Sequence, residues 1–340
     1  MRAVVYSETG GPEVLRLVDR AEPEAGTGEV VVRVAVSGVN PSDWKVRTGS
    51  RPGEPTRSPE TVPNQDGAGT IVAVGAGVES TRVGERVWIW EAAWHRSDGT
   101  AQELVAIPTE HAVSLPANTS FDLGASLGIP ALTAHRALTV GALGPDGLGP
   151  ETLFGRTVLV AGGAGAVGHA AIQLAKWSGA TVITTVSSPE KAALARAAGA
   201  DHVLNYRTDD VAAAVREIAP DGVDIVVEVA PVTNIALDAA VVARDGTVAI
   251  YASEGDDPVP VPVRDAMVDN IRYQFILVYT MPDLAKRRAV RDVSSAVSAG
   301  ALDVGEDAGL PLHRFPLERT ADAHAAVEAG AVGKVLIDLL

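Results

Sequence analysis

A glycine-rich turn is the segment of this sequence whose residue types have the clearest chemical use. Residues 157–161 read TVLVA, which is typical of a buried strand, and GGAGAVG follows before an Ala-rich stretch that suits a helix. Glycine lets the backbone approach a pyrophosphate, and the N–H groups at the start of the following helix hold that anion. The last glycine, Gly168, permits close contact between helix and strand. This arrangement predicts a dinucleotide-binding turn.

The segment after the next apolar run bears on which dinucleotide is bound. TVITTV ends in SSPEK, residues 187–191, and not in the Asp or Glu that usually binds the ribose of NAD. Ser187, Ser188 and Lys191 suit a 2′-phosphate, and Tyr206 can add a stacking face. The alternative is that the serines cap the helix that follows. Capping and phosphate binding use the same end of a helix, so the two interpretations are compatible. The two serines and Lys191 favour NADPH over NADH.

Three tryptophans stand close together in a chain with only 4% aromatic residues. Trp90 and Trp94 form either a wall on which a flat acceptor such as a quinone stacks, or the packed face of a strand. For Trp88, packing is the favoured interpretation. His95 is a weak candidate for a general acid, since solvent can protonate a reduced quinone. The remaining histidines lack metal-ligand spacing and are expected to be structural.

Composition excludes several other kinds of chemistry. The 340 residues contain no cysteine, which excludes disulfides, a thiol nucleophile, iron–sulfur clusters and thiolate zinc sites. No serine stands in a Gly-x-Ser-x-Gly frame, so a hydrolase is not supported. The net charge of −15 argues against nucleic acid as a partner. No apolar run is long enough to span a membrane and the first residues do not resemble a signal peptide, so we expect a soluble, cytoplasmic protein.

The elements that must position these residues fall into two groups, as expected for a chain of this length. The first hundred residues contain short β-branched runs separated by glycine- and proline-rich turns, which predicts a β-rich domain. From Thr157 onward, apolar runs of strand length alternate with Ala-rich helical stretches. That alternation predicts a parallel sheet covered by helices on both faces, and hence the α/β fold class.

Ordered motifs along the whole chain resemble the medium-chain dehydrogenase/reductase superfamily. They include SGVNPSDWKVRTG, DGAGTIVAVGAGVESTRVGERV, LGIPALTAHRAL, AGGAGAVGHAAIQLAK, VDIVVEVAPVTN and AVGKVLIDL. Within the superfamily the sequence is similar to the zinc-free, zeta-crystallin-like NADPH:quinone oxidoreductases. The resemblance implies a GroES-like β-rich catalytic domain over residues 1–125, completed by 281–340, and a Rossmann NADPH-binding domain with a doubly wound parallel sheet over 126–280. It also implies a homodimer.

The resemblance further implies a site without metal. Zinc dehydrogenases of the superfamily carry Cys, His and Glu where this chain has Asn40, Gln65 and Asp66. The latter set would hold Zn²⁺ poorly, and without that Lewis acid the oxidation of an alcohol is not favoured. The expected reaction is direct hydride transfer from NADPH to a quinone. An NADPH-dependent enone or alkenal double-bond reductase is the alternative, and a non-catalytic NADPH-binding sensor is a third interpretation.

Individual roles also follow from the resemblance, position by position. Asn40 is expected beside the nicotinamide, and Lys45 is a second catalytic candidate. The substrate-binding candidates, Trp90 and Trp94, rest instead on the aromatic cluster described above. The implied cofactor-binding residues are Thr133, Ala164, Gly165, Ala166, Val167, Ser187, Lys191, Tyr206, Asn234, Tyr251, Ala252, Ser253, Phe275, Ile276 and Leu277.

Two positions depart from the family pattern. Lys45 stands where the quinone reductases usually have Tyr, and it either hydrogen-bonds a substrate carbonyl or cofactor phosphate, or is a solvated loop residue. This departure, with the similarity of NPSDWK to the enone reductases, leaves the acceptor open between a quinone and an enone. Glu254 replaces an Arg of the family and removes a candidate phosphate contact.

Overall fold

The structure, a computed structural model, describes residues 1–49, 59–142, 144–253, 255 and 257–339. It divides into two compact units, Met1–Ile129 with Pro311–Leu340, and Pro130–Leu310. The chain returns to the first unit at Pro311, whereas the resemblance places that return at about residue 281. None of the helices within the described ranges is long and apolar enough to cross a membrane.

Strands and helices follow one another along both units. The strands are β1 (Arg2–Val5), β2 (Arg16–Asp19), β3 (Glu29–Val39), β4 (Asp66–Val74), β5 (Arg86–Ile89), β6 (Leu104–Pro108), β7 (Ala112–Ser114), β8 (Thr157–Ala161), β9 (Thr181–Val186), β10 (His202–Asn205), β11 (Val223–Glu228), β12 (Val242–Ile250), β13 (Arg272–Phe275), β14 (Leu312–Pro316) and β15 (Lys334–Asp338). The α-helices are α1 (Pro41–Thr48), α2 (Phe121–Thr139), α3 (Ala166–Trp177), α4 (Pro189–Ala197), α5 (Val211–Ile218), α6 (Pro231–Val241), α7 (Val263–Val268), α8 (Asp283–Ser298) and α9 (Thr320–Glu328).

Most strands of the first unit form one mixed sheet. Its order is β14-β15-β3-β4-β5-β7, and β6 pairs with β3 outside this path. The Val-rich β3 is central, since it pairs with β4, β6 and β15. Val32, Ile71, Ile107 and Ile337 are fully buried in the core that these strands share. The predicted β-rich domain is confirmed.

A short helix follows β3 and turns two of its side chains inward. Pro41 suits the first turn of α1, and the Asp43 carboxylate accepts a hydrogen bond from the Asn40 N–H at 2.7 Å, which fixes the start of the helix. Asp43 and Arg47, one turn apart, are buried, whereas Lys45 lies on the exposed side. This helix therefore determines which polar side chains after β3 enter the interior.

A six-stranded parallel sheet organises the second unit. Its order is β10-β9-β8-β11-β12-β13, and every neighbouring pair is parallel. Strand residues such as Val158, Ile183 and Val226 are fully buried, as expected for a sheet covered on both faces. The order reverses between β8 and β11, which is where open α/β sheets bind ligands, outside the carboxyl ends of the strands. The predicted doubly wound fold is confirmed.

Helix α8 also belongs to the second unit. The carboxylate of its Asp292 lies 2.9 Å from Nε2 of His135 and accepts the N–H of Leu148 at 2.8 Å. Both side chains are buried, so separating them would leave polar groups unsatisfied. This contact explains why the chain beyond residue 281 remains with the second unit.

Candidate functional site

Three polar side chains from distant parts of the chain meet inside the first unit. Asn40 follows β3, Asp66 begins β4 and Lys334 begins β15. The Lys334 Nζ donates to Asn40 Oδ1 at 2.7 Å and lies 3.6 Å from Asp66 Oδ2. The Asn40 Nδ2 donates to the same Asp66 oxygen at 2.7 Å. The Asn40 amide is therefore held between a cation and a carboxylate, which fixes its orientation.

Burial makes charge costly in this cluster, and the hydrogen bonds offset that cost. Asp66 is fully buried, and its Oδ1 accepts the N–H of Ile129 at 2.9 Å. Burial raises the pKa of Asp66, while the charge of Lys334 and the hydrogen bond from Asn40 oppose the shift. Burial likewise lowers the pKa of Lys334, and the charges of Asp66 and Asp43 oppose that change. The lysine and the aspartate thus stabilise each other's charged forms.

Lys334 is the residue of this cluster that sequence reasoning missed. Its motif, AVGKVLIDL, contributed to the resemblance, but no role followed for the lysine. The sequence contained a signal for it, since this lysine begins an apolar strand. A lysine in such a position is rarely buried without an anionic partner.

A cavity of about 520 Å³ lies in the same unit. Its walls include Asp43, Asn64, Gln65, Trp94 and His95. A cavity of this size with a few polar groups suits a small molecule. It is the candidate acceptor site of the first unit.

The two candidate substrate tryptophans occupy different environments. Trp94 lines the cavity beside His95, with ring centroids 4.3 Å apart. Trp90 is 6% exposed, stacks on His111 with centroids 4.2 Å apart, and donates from Nε1 to the carbonyl of Glu110 at 3.2 Å. The lining of the cavity does not include Trp90. Packing contacts hold Trp90 in place, and substrate contact stays a prediction for both tryptophans.

The two catalytic candidates also differ in exposure. Asn40 is 2% exposed. Lys45 is exposed, its ammonium lies 5.8 Å from the ring centroid of Trp44, and it does not line the cavity. This position agrees with the solvated interpretation of Lys45, although on a helix and not in a loop. A catalytic role for either residue stays a prediction.

In the second unit, the glycine turn lies at the carboxyl end of β8. Gly162 has a φ of 69°, and the turn leads into α3, whose first turn has no side-chain cap at Gly165. A Cβ on Gly168 would lie 2.4 Å from the carbonyl oxygen of Gly162, so the helix and the turn are as close as glycine allows. Residues 164–167 therefore present the start of a helix to an anion, as the cofactor prediction requires.

The candidates for the 2′-phosphate lie at adjacent strand ends. The Tyr206 N–H donates to the carbonyl of Val186 at 3.0 Å, which places Tyr206 beside Ser187. Ser188 caps α4 by accepting the N–H of Lys191 at 3.3 Å. The capping interpretation is thus correct for Ser188, and Ser187, Lys191 and Tyr206 remain grouped at one edge of the sheet.

Further candidates follow β11 and β12. Asn234, in α6, donates from Nδ2 to the Glu228 carboxylate at 3.1 Å. The carbonyl of Glu228 accepts the N–H of Tyr251 at 3.1 Å. Ala252 and Ser253 come next, and Ser253 is exposed. The structure therefore brings Asn234 and Tyr251 together around one glutamate.

The remaining candidates differ widely in exposure. Phe275 and Leu277 are 63% and 54% exposed, and Ile276 between them is 8% exposed. Thr133, in α2, is 5% exposed. Glu254 lies outside the described residues. All the cofactor-binding candidates belong to the second unit, and their contact with a cofactor stays a prediction.

Sequence reasoning also missed a pair of buried carboxyl groups near this edge. Glu228 and Asp238 are 0% and 1% exposed, and their side chains are hydrogen-bonded to each other. Burial and the charge of Glu228 raise the pKa of Asp238 to about 9. The pair therefore holds a proton at neutral pH, as two close carboxyl groups cannot both ionise without penalty.

Two histidines are buried and neutral. His169 Nε2 lies 2.8 Å from the carbonyl of Ala308, and burial lowers its pKa to about 4. His324 Nε2 lies 2.9 Å from Asn64 Oδ1, and burial lowers its pKa to about 3. In the part of the chain that the structure describes, no three His, Asp or Glu side chains are grouped to hold a metal ion.

Two family models match the chain. One, described as an alcohol dehydrogenase GroES-like domain, matches residues 26–117. The other, described as a zinc-binding dehydrogenase, matches residues 166–295. The first match lies in the first unit and the second in the second unit.

Known proteins match over nearly the full length. The quinone oxidoreductase of Lama guanicoe is 32% identical, over 99% of this chain and 97% of its own. A mycobacterial protein solved in complex with NADPH is 32% identical, with a TM-score of 0.80 and 100% of both chains covered. A structure of an NAD-dependent alcohol dehydrogenase is 29% identical, with a TM-score of 0.85 and the same coverage. The similarity therefore extends over both units.

Proposed function

Because the chain belongs to the medium-chain dehydrogenase/reductase superfamily and, within it, to the quinone oxidoreductases, we propose that it is an NADPH-dependent quinone oxidoreductase. NADPH would supply a hydride for the two-electron reduction of the acceptor. The protein's own contribution is to bind the cofactor, orient the acceptor and exclude water.

The observation that carries this proposal is the glycine turn at the point where the strand order reverses. The uncapped start of α3 stands at the end of β8, directly beside β11 in the sheet. Helix N–H groups and the positive end of the helix dipole favour a pyrophosphate there. Residues 164–167 would hold it.

The grouping at the end of β9 supports NADPH as the reduced cofactor. Ser187, Lys191 and Tyr206 lie where an NAD enzyme usually presents a carboxylate to the ribose. A hydroxyl and an ammonium are complementary to a 2′-phosphate, whereas a carboxylate would repel it.

Asn40, Gln65 and Asp66 do not fit a catalytic zinc ion. Asn40 and Asp66 are hydrogen-bonded to each other, and the Lys334 ammonium lies 2.7 Å and 3.6 Å from their oxygens. The Gln65 Oε1 accepts the N–H of Ala93 at 3.1 Å. The tethered Lys334 cation already pairs with Asp66, and amide oxygens are poor zinc ligands. We therefore propose a reaction that is independent of zinc.

A homodimer formed through the second unit is part of the proposal. β13 is the last strand of the parallel sheet, and among the described strands it pairs with β12 alone. Such an edge offers backbone groups to a second copy of the same strand. Sedimentation velocity should give a dimer at assay concentrations, and a monomer throughout would contradict this part of the proposal.

Steady-state oxidation of NADPH and NADH tests the function. Purified protein is offered 1,4-benzoquinone, 9,10-phenanthrenequinone and a simple alkenal, and the loss of reduced-nicotinamide absorbance is followed. We expect the fastest turnover with NADPH and a quinone. Preference for the alkenal would identify an enone reductase, and tight NADPH binding without turnover would favour a sensor.

One substitution tests the choice of cofactor. Lys191→Ala should raise KM for NADPH about tenfold or more, as loss of a charged hydrogen bond costs about 1.5–3 kcal/mol, and leave KM for NADH nearly unchanged. Arg196→Ala removes an exposed cation from the same helix and serves as the matched control. Equal effects of the two variants would contradict the assignment of the 2′-phosphate site.

A further inference from the structure

The side-chain amide of Gln65 is hydrogen-bonded at one end and open at the other. Its Oε1 accepts the N–H of Ala93 at 3.1 Å. Because a backbone N–H bonds to the oxygen of an amide and not to its nitrogen, this contact also fixes which end of the amide is Nε2. The Nε2 has no hydrogen-bond partner among the described residues, and it is not one of the polar atoms that the protein encloses completely. Gln65 therefore has an unused donor.

This donor belongs to the wall of the 520 Å³ cavity. Gln65 lines the cavity and is 5% exposed, so little water surrounds its amide. A buried donor without an acceptor is unfavourable, and an oxygen atom of a bound molecule would remove that penalty. The side of the cavity at Nε2 therefore suits a ligand that presents a carbonyl oxygen.

The backbone that precedes the donor is held in place. Asn64, directly before Gln65, has a left-handed φ of 78°. Its amide is bonded at both ends, since Nδ2 donates to Ser37 Oγ at 2.9 Å and Oδ1 lies 2.9 Å from His324 Nε2. A non-glycine residue fixed in this conformation by its surroundings is typical of functional sites. These contacts position Gln65 before any ligand binds.

Gln65 also holds the turn that carries the aromatic part of the cavity wall. Its carbonyl accepts the N–H of Ala92 at 3.1 Å, and its Oε1 accepts the next N–H, that of Ala93. Trp94 follows directly, donates its N–H to the carbonyl of Glu91 at 3.3 Å, and lines the cavity. The donor and the indole are thus anchored to each other. A flat molecule with a carbonyl oxygen at its edge is the ligand that would use both.

Other polar side chains of the wall are less suited to this role. Arg96 and Ser97 already donate, to a backbone carbonyl and to a neighbouring carboxylate, at 2.7 Å each. Tyr6 and His95 are further donors of the wall. Gln65 is distinguished from them by the Ala93 contact, which anchors its amide and leaves the nitrogen for a ligand.

We propose that Gln65 binds the carbonyl oxygen of the acceptor through Nε2 and stabilises the negative charge that develops on that oxygen during reduction. The inference rests on the proposed function. A C–H bond of NADPH breaks, the hydride bonds to the acceptor, and the electrons of the conjugated system move onto the carbonyl oxygen. A proton from water then completes the reduced product. A donor fixed in advance beside a developing oxyanion is an effective source of catalysis.

Two variants and one control test the assignment. Gln65→Glu keeps an oxygen for the Ala93 N–H and removes the Nε2 donor, whereas Gln65→Leu removes both ends of the amide. Gln173→Glu is the matched control in the second unit, because the Gln173 Oε1 accepts the N–H of Asp303 at 3.2 Å. Thermal unfolding and NADPH affinity are measured for every variant, so that loss of folding or of cofactor binding is recognised separately.

The first readout is kcat at two pH values. In mildly alkaline solution Gln65→Glu should lower kcat about 100-fold, and Gln173→Glu should leave it unchanged. In mildly acidic solution the loss should be smaller, because the protonated glutamic acid again donates a hydrogen bond. Folded Gln65→Glu with the kcat of the wild type, or with the same loss at both pH values, would overturn the proposal.

The second readout requires no turnover. 9,10-Phenanthrenequinone is bound in the presence of NADP⁺, which cannot reduce it, and the C=O stretch of the bound quinone is recorded by infrared difference spectroscopy. The hydrogen bond from Nε2 should lower the frequency of one carbonyl in the wild type, and folded Gln65→Leu should lack this shift. Equal spectra, or no bound quinone, would overturn the inference. A wild type that binds NADPH but reduces no acceptor would refute the proposed function itself.

Discussion

Replacing Lys334 with Met removes the ammonium that faces two buried carboxyl groups and keeps most of the side-chain volume. Asp66, with its side chain fully buried, would lose the cation 3.6 Å away, and the Asn40 Oδ1 would lose its donor at 2.7 Å. Removing one partner of a buried ion pair costs about 3–5 kcal/mol. Because both side chains are at most 2% exposed, solvent cannot take over the role of the lost cation. We expect the free energy of unfolding to fall by this amount.

A second substitution in the same chain should recover most of the loss. Asp66→Asn in the Lys334→Met background removes the unpaired charge, and replacing a whole buried ion pair by neutral groups is often nearly without cost. Urea unfolding followed by tryptophan fluorescence is the assay. Trp44, Trp88 and the other tryptophans except Trp177 lie in the first unit, so the signal reports on that unit.

An exposed ion pair provides the control, and the pH dependence of the stability loss provides a second test. Lys176→Met removes a lysine paired with Asp201, where both side chains are 35% exposed, and should cost at most about 1 kcal/mol. In Lys334→Met the folded-state pKa of Asp66 should rise further above its unfolded value, so the cost should grow as the pH rises and shrink as it falls. A loss below about 1 kcal/mol at neutral pH, or a double variant no more stable than the single one, would refute this reasoning.

Four further substitutions separate binding from stability. Asp238→Asn should raise the melting temperature in mildly alkaline solution and make that temperature less dependent on pH. In the folded wild type the pKa of Asp238 is about 9, above its unfolded value. The wild type therefore loses stability as the pH rises towards 9, and the variant should not. Gly168→Val should abolish NADPH binding in calorimetry, since its Cβ would lie 2.4 Å from the Gly162 oxygen; an unchanged affinity would exclude the glycine turn as the cofactor site. Trp94→Ala should raise KM for a flat acceptor, which steady-state kinetics would measure. Trp90→Ala should instead cost about 3–5 kcal/mol of stability, which thermal unfolding would measure. A change in KM with Trp90→Ala and a loss of stability with Trp94→Ala would contradict these two predictions.

The second unit was predictable because its features are contiguous in the chain. β8, the glycine turn and α3 are consecutive, and each contains the residue types that its conformation requires. The repeated alternation of strand and helix then implies a parallel sheet. The carboxyl ends of such strands meet at one edge, so Ser187 and Tyr206 could be grouped from their positions alone.

The buried cluster of the first unit could not be predicted in this way. Lys334 and Asn40 are 294 residues apart, and no local pattern specifies which carboxylate an ammonium meets in the fold. The different environments of Trp90 and Trp94 could not be predicted either. Glu91 and His95 have positive φ angles of 49° and 58°, and the irregular turn between them orients Trp90 and Trp94 differently. Sequence spacing alone does not predict such a turn.

The interrupted first unit also determines an order of events during synthesis. Its two segments, Met1–Ile129 and Pro311–Leu340, are separated in the chain by the whole second unit. β15, which pairs with β3 and carries Lys334, is therefore translated after all of the inserted residues. On the ribosome the inserted unit can fold first. Until β15 is made, the N-terminal segment has an unpaired edge at β3, and its buried carboxyl groups lack Lys334. We expect that segment to be the part of the nascent chain that chaperones protect.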